Sequence, residues 1–122
     1  MTTKRQQLGE LGESLAIEHL KQVGYRIVEK NFKNRLGEID IIAQDEDTLC
    51  FIEVKTRTSN QFGTPFEAVS HVKQHKLSQM AFSYLKSKQL DDVLTRFDII
   101  AVNWLSEDSA HIELLKNAFE IS

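Results

Sequence analysis

The sequence is short of most features that mark specialised chains. Its single cysteine, Cys50, cannot close an internal disulfide and cannot supply a cysteine-based zinc site. One proline and five glycines in 122 residues exclude long flexible linkers and low-complexity tails. The apolar runs, such as Ile99-Ile100-Ala101-Val102, are far too short to span a bilayer. The start, Met1 to Gln7, is polar and carries no apolar stretch of the signal-peptide kind. A reduced, cytoplasmic chain without a membrane partner is therefore expected. Hydrophobic residues at 41% and charged residues at 27% suit a globular chain rather than a disordered one, here a single domain over 1–122.

Basic residues are missing from one tract altogether. The net charge is only −3, but residues 36–53 hold six acidic and no basic side chains. Residues 1–35 before this tract sum to +3 and residues 54–89 after it to +5, and residues 90–122 return to −5. Solvated surface charge is the ordinary meaning of such blocks. An acidic patch between basic ones is also what a metal-assisted site on a phosphate polymer needs: carboxylates for the cation and a basic rim for the backbone.

Periodicity predicts the elements. Leu8, Leu11, Leu15, Ala16, His19, Leu20 and Val23 fall on one stripe of a helix over Lys4–Val23, capped by Thr2 or Thr3 and ended by Gly24. Glu13 lies at the border of that stripe. Gly9 and Gly12 weaken the helix and are expected to permit a close approach to a sheet or ligand. Tyr25–Val28 reads as a short strand and Asn31–Leu36 as a turn. Glu38–Gln44 and Leu49–Thr56 read as strands joined in a hairpin by a short acidic link. A loop follows at 59–64. Pro65 suits a helix start, and helical spacing continues to Lys88 with an interruption near Ser70, placing Val69, Val72, Leu77, Met80, Ala81, Tyr84 and Leu85 inward. Phe97–Trp104 and Ala110–Leu115 complete an α-β-β-β-α-β-β order. A helix between the third and fourth strands predicts a parallel crossover, hence an α/β fold with a mixed sheet covered by helices.

The chemistry concentrates in Gly37-Glu38-Ile39-Asp40 and Glu53-Val54-Lys55. A tight turn at Glu46-Asp47 pairs residues whose numbers sum to 93, setting Gln44 opposite Leu49, Ile42 opposite Phe51 and Asp40 opposite Glu53. Residues two apart share a strand face, so Lys55 joins Glu53. Two adjacent carboxylates repel unless protonated or bridged by a cation. Mg²⁺ suits such a pair, since it takes one or two carboxylates and keeps several waters. Lys55 beside it can hold a water or neutralise charge building on a phosphoryl group. The competing reading is a structural Asp–Lys–Glu network. Against it, Leu49 and Phe51 share the face of Glu53, and extending an apolar face with charges is costly without a purpose.

Asp40, twelve intervening residues and Glu53-Val54-Lys55 resemble the PD-(D/E)XK nuclease signature, with Ile39 where the signature's name expects proline. Together with Gly9-Glu10-Leu11-Gly12-Glu13, Phe51-Ile52-Glu53-Val54-Lys55-Thr56-Arg57 and Arg96-Phe97-Asp98, the pattern resembles the YraN-like bacterial family from Leu8 to about Val102. That family is uncharacterised and predicted to be endonuclease-like, with kinship to archaeal Holliday-junction resolvases. The resemblance implies a restriction-endonuclease-like αβββαβ core with an extra C-terminal strand. It implies Asp40, Glu53, the Val54 carbonyl and Glu13 as ligands of Mg²⁺ or Mn²⁺, Lys55 as the catalytic lysine, and DNA as substrate.

Other residues weigh less. Glu38 shares the face of Asp40 and reads as solvated. His71 and His75 have the four-residue spacing of a zinc pair but no third ligand at a recognisable spacing. Lys73, Lys76, Arg57 and Arg35, with Arg26 and Lys33, are candidates for a basic rim on a phosphate backbone. Phe82, Tyr84, Phe97 and Trp104 are expected in the core, and Cys50 is expected buried and inert. Three functions compete: a metal-dependent endonuclease, favouring branched or flapped DNA and a two-fold homodimer; a nucleic-acid-binding or adaptor module that does not cleave; and a structural protein docking through its acidic C-terminal third.

Overall fold

The computed structural model describes residues 3–58 and 69–120. The chain runs α1 (Lys4–Gln22), β1 (Arg26–Asn34), β2 (Gly37–Asp45), β3 (Thr48–Thr58), α2 (His71–Ser87), β4 (Leu94–Ser106) and β5 (Ser109–Phe119). The strands form one sheet in the order β1-β2-β3-β4-β5. Neighbours are antiparallel except β3 and β4, which are parallel. This is the expected αβββαβ arrangement with an added C-terminal strand. The loop at 59–64 and the helix start at Pro65 fall outside the described residues.

Each helix covers one face of the sheet. Ile39, Ile42, Leu49, Phe51, Phe97 and Ile99 pack with Leu77, Met80, Ala81 and Tyr84 of α2. On the other face Ile41, Ala43, Cys50, Ile52, Ile100 and Val102 pack with Ala16 and Leu20 of α1. Alternation along β3 and β4 follows the two-residue repeat of a strand with both faces covered. Among the described residues no helix is long and apolar enough to cross a membrane.

The helix ends follow their local chemistry. Thr3 closes a capping box with Gln6, and Gly24 at φ +100° lets the chain turn out of α1. Ser70 caps α2 through the N–H of Lys73, which accounts for the interruption read there.

Several expectations are corrected. In α1 the buried line is Gly12, Ala16 and Leu20, while Leu11, Leu15 and Val23 are exposed. The helix sits so close to β3 that a Cβ at position 12 would lie 2.6 Å from Thr56 Oγ1, and this tilts the contact toward the small residues. Gly9 has no such neighbour within 4 Å. In α2, Val72 at 68% and Phe82 at 55% exposure face solvent; both lie on the side of the helix away from Leu77, Met80 and Tyr84. The strand β1 continues through Asn34, so only Arg35 and Leu36 turn. Polar residues there signal an edge strand with a wet face rather than a turn.

One irregularity positions the site. Asn31, inside β1, has φ +55°, and the β1–β2 register passes from Lys30↔Ile41 to Phe32↔Ile39 without pairing Asn31 and Asp40. Alternation breaks at the same place: Ile41 faces α1, yet Ile39 faces α2. Asp40 therefore stands at a fault in the pleat and lines clefts on both sides of the sheet.

Candidate active site

The β2–β3 hairpin holds the expected register from Asp45↔Thr48 to Ile41↔Ile52. Beyond it the side chain of Asp40 takes over the pairing: the Val54 N–H donates to Asp40 Oδ2 at 2.8 Å. Glu53, one residue earlier on β3, is buried at 7% exposure on the α2 side. Asp40 and Glu53 line the same cleft of about 310 Å³, with Glu38, Lys73 and Lys76. The second cleft, about 490 Å³, lies toward α1 and brings Glu13, Asp40, Val54 and Lys55 together.

Two lysines serve Glu53. Lys73 Nζ donates to Glu53 Oε1 at 2.6 Å, and Lys55 Nζ lies 3.8 Å from the same oxygen. Burial and then the Lys73 ammonium hold Lys55 below the usual lysine range. For Lys73, burial pulls downward most strongly, but the hydrogen bond and charge of Glu53 together outweigh it, and its pKa is raised. Asp40 instead stands beside two other carboxyls, Glu53 and Glu38. Burial, followed by the Glu53 charge, pushes its carboxyl up to about 7, and the Val54 N–H offsets this only in part.

The other sequence-derived residues divide. Glu13 accepts a hydrogen bond from Asn31 Nδ2 at 3.0 Å, so the strand residue that breaks the pleat also fixes the helix carboxylate. Lys76 shares the α2-side cleft. Lys73, read as a rim residue, points inward onto Glu53. Arg57 lies farther along β3, its Nε donating to Asn103 Oδ1 at 3.0 Å. Arg35 sits in the exposed β1–β2 turn, beside the Leu36 and Gly37 that line the cleft. Lys33 is paired with Glu38 at 3.3 Å. His71 and His75 are exposed. Cys50 is buried, and desolvation pushes its thiol up to about 12.

Sequence reasoning missed Asn31. The available signal was residue type, because asparagine tolerates positive φ better than most residues. The contact of Lys73 with Glu53 joins residues of different elements, and no spacing rule reports it.

The donor set suits a hard divalent cation. Among the described residues no three His, Cys, Asp or Glu side chains converge on one point. A cation here would rest on the Asp40 and Glu53 pair, which is as many carboxylates as Mg²⁺ commonly uses. The Asp40 carboxyl, pushed toward protonation by burial and then by the Glu53 charge, is the group such a cation would relieve.

Fold and site together define a mixed α/β domain with a charged cluster at a fault in its sheet. The chain belongs to the uncharacterised protein family UPF0102, whose pattern matches residues 12–102. That span holds Glu13, Asp40, Glu53, Lys55 and Lys73 and answers to the YraN-like motifs. The chain is 46% identical over 120 residues to a UPF0102 protein of Syntrophus aciditrophicus, covering 98% of this chain and 94% of that protein. It is 46% identical over 115 residues to one of Geobacter sulfurreducens, covering 94% and 90%. It is 48% identical over 114 residues to one of Alkaliphilus oremlandii, covering 92% and 97%.

Proposed function

We propose that the protein is a Mg²⁺- or Mn²⁺-dependent endonuclease that hydrolyses DNA phosphodiesters. The observation that carries this reading is the pairing of Asp40 with Glu53 beside Lys55, with the Asp40 carboxyl raised to about 7. A carboxyl pair kept buried and close together is what a cation site needs. Asp40, Glu53 and the Val54 carbonyl would hold the ion, with Glu13 across the α1-side cleft as a ligand directly or through water. The bound ion supplies Lewis-acid polarisation of a phosphoryl oxygen and a more acidic water.

The chain's own residues do the rest. Lys55 faces the carboxylates from the same strand, and its lowered pKa brings it nearer the amine form that can take a proton from water. In its charged form it stabilises the negative charge that grows on the phosphoryl oxygens. The water oxygen bonds to phosphorus as one ester P–O bond breaks, and the departing oxygen takes a proton. Lys76, Arg57 and Arg35 would contact flanking phosphates, which position the strand without reading bases. Recognition by backbone shape suits branched or flapped DNA, and a symmetric junction suits a two-fold dimer.

One observation favours a second reading, a binding module that does not cleave: Lys55 and Lys73 already neutralise Glu53 without a metal. Incubating the protein with labelled duplex, flap and four-way junction DNA, in Mg²⁺, Mn²⁺ or EDTA, separates the two. Metal-dependent cleavage of any substrate supports the nuclease, and binding without cleavage on all three supports the module.

A further inference from the structure

The two ammonium groups on Glu53 are not held alike. Lys55 projects from β3 and its side chain is 24% exposed, whereas Lys73 comes from the first turn of α2 and is 40% exposed. The Lys73 backbone is fixed, because its N–H donates to Ser70 Oγ at 3.2 Å. Its four-carbon stem is flexible. The cleft beside it, lined by Lys76, Glu38 and Leu36, gives the ammonium room to leave Glu53 without moving the helix.

Charge then decides the consequence of a second cation. Asp40, Glu53, Lys55 and Lys73 sum to zero when all four are ionised. A divalent ion on the carboxylates would bring the group to +2, and the repulsion falls hardest on the ammonium in contact with Glu53 Oε1. Lys73 makes that contact and is the more exposed of the two lysines.

We infer that Lys73 is an exchangeable counter-ion, which neutralises buried Glu53 in the metal-free protein and moves into the α2-side cleft when a divalent cation binds, where it joins Lys76 as a contact for a phosphodiester. The inference rests on the metal-site reading above and adds a coupling to it: metal occupancy releases a phosphate-binding group. A permanent structural ion pair would behave oppositely, since losing Lys73 would then misplace Glu53 and weaken the metal.

Titration calorimetry with Mn²⁺ on wild type and Lys73→Gln tests this, because glutamine keeps a donor and removes the charge. The variant should bind Mn²⁺ on the order of tenfold more tightly. Its affinity for four-way junction DNA should match wild type in EDTA and fall by about threefold or more in Ca²⁺. A measurement on wild type alone guards against a misfolded variant: the ¹H–¹⁵N signal of Lys73 Nζ should shift on addition of Mg²⁺. Equal or weaker Mn²⁺ binding by a folded variant, or an unmoved Lys73 signal in Mg²⁺-bound wild type, overturns the exchange and leaves the metal site standing. Wild type that binds no Mn²⁺ overturns the metal site, and the exchange falls with it.

Discussion

Two clusters of nearly identical charge lie on this sheet and are wired differently. One holds Asp45 and Asp98 with Arg96 and Lys116; the other holds Asp40 and Glu53 with Lys55 and Lys73. In the first, the cations are shared out. Arg96 donates to Asp98 at 2.8 Å and to Asp45 at 2.8 Å, and Lys116 reaches Asp45 at 3.2 Å. Neutral donors finish the work on fully buried Asp98: the Tyr25 hydroxyl at 2.8 Å and the Asn117 N–H at 2.9 Å. The hydrogen bond from Arg96 holds Asp45 below the usual carboxylate range. In the second cluster both lysines attend Glu53, and Asp40 is left with the Val54 N–H, the Glu38 carboxyl beside it and a pKa near 7. Charge composition does not distinguish the two clusters. The allocation of cations among carboxylates does.

The largest effect should come from breaking the closed cluster. Arg96→Leu leaves Asp98 buried with its charge uncompensated and should cost about 3–5 kcal/mol of stability. Urea unfolding measures it, and a loss below about 1 kcal/mol would remove the contrast. Lys55→Ala in the open cluster should behave the other way. Stability should change little, while metal-dependent cleavage falls on the order of 10²–10³ through loss of one electrostatic donor. Single-turnover rates on the best junction or flap substrate read it, once circular dichroism shows a native fold.

Asp40→Asn in the open cluster should stabilise the metal-free protein. The folded-state pKa of about 7 lies above the unfolded value near 3.8. Below about pH 3 both states are protonated and Asp40 carries no penalty. Between about 4 and 7 the unfolded state loses the proton first, so stability falls as pH rises, and the full penalty applies above 7. The variant should gain up to about 4 kcal/mol over wild type at pH 8 and less than about 1 kcal/mol at pH 4. Melts at the two pH values check this, and a pH-independent difference would contradict it. Smallest of all, Arg57→Ala should weaken junction binding and flatten its salt dependence by up to about one unit of slope. Unchanged affinity and slope would place the DNA surface elsewhere.

The contrast also explains what could be read from the sequence. Hairpin register followed from a two-residue turn and a strict two-residue repeat as far as Ile41↔Ile52; past it Asp40 and Glu53 share a cleft, while the Asp40 side chain takes the Val54 N–H. Glu53 and Lys55 follow from the same repeat. The parallel β3–β4 pair followed from the intervening helix. Long-range polar geometry was not legible. The alternation rule assumes an unbroken pleat, and Asn31 breaks it opposite Asp40. Helical spacing alone could not show that α1 would pack through Gly12 rather than Leu11 and Leu15. That choice is set by Thr56 on another element. Phe82 was misread for a related reason: an aromatic at helical spacing carries no label for its face.

Asp40, in this reading, lacks the positive charge that a bound cation would bring. Carbon-13 NMR titration of the Asp40 carboxyl, with and without Mg²⁺, tests it most directly. A midpoint near 7 is expected in metal-free protein, falling by more than about one unit when Mg²⁺ is present. A midpoint near 4 without metal, or one near 7 that Mg²⁺ does not move, would contradict it.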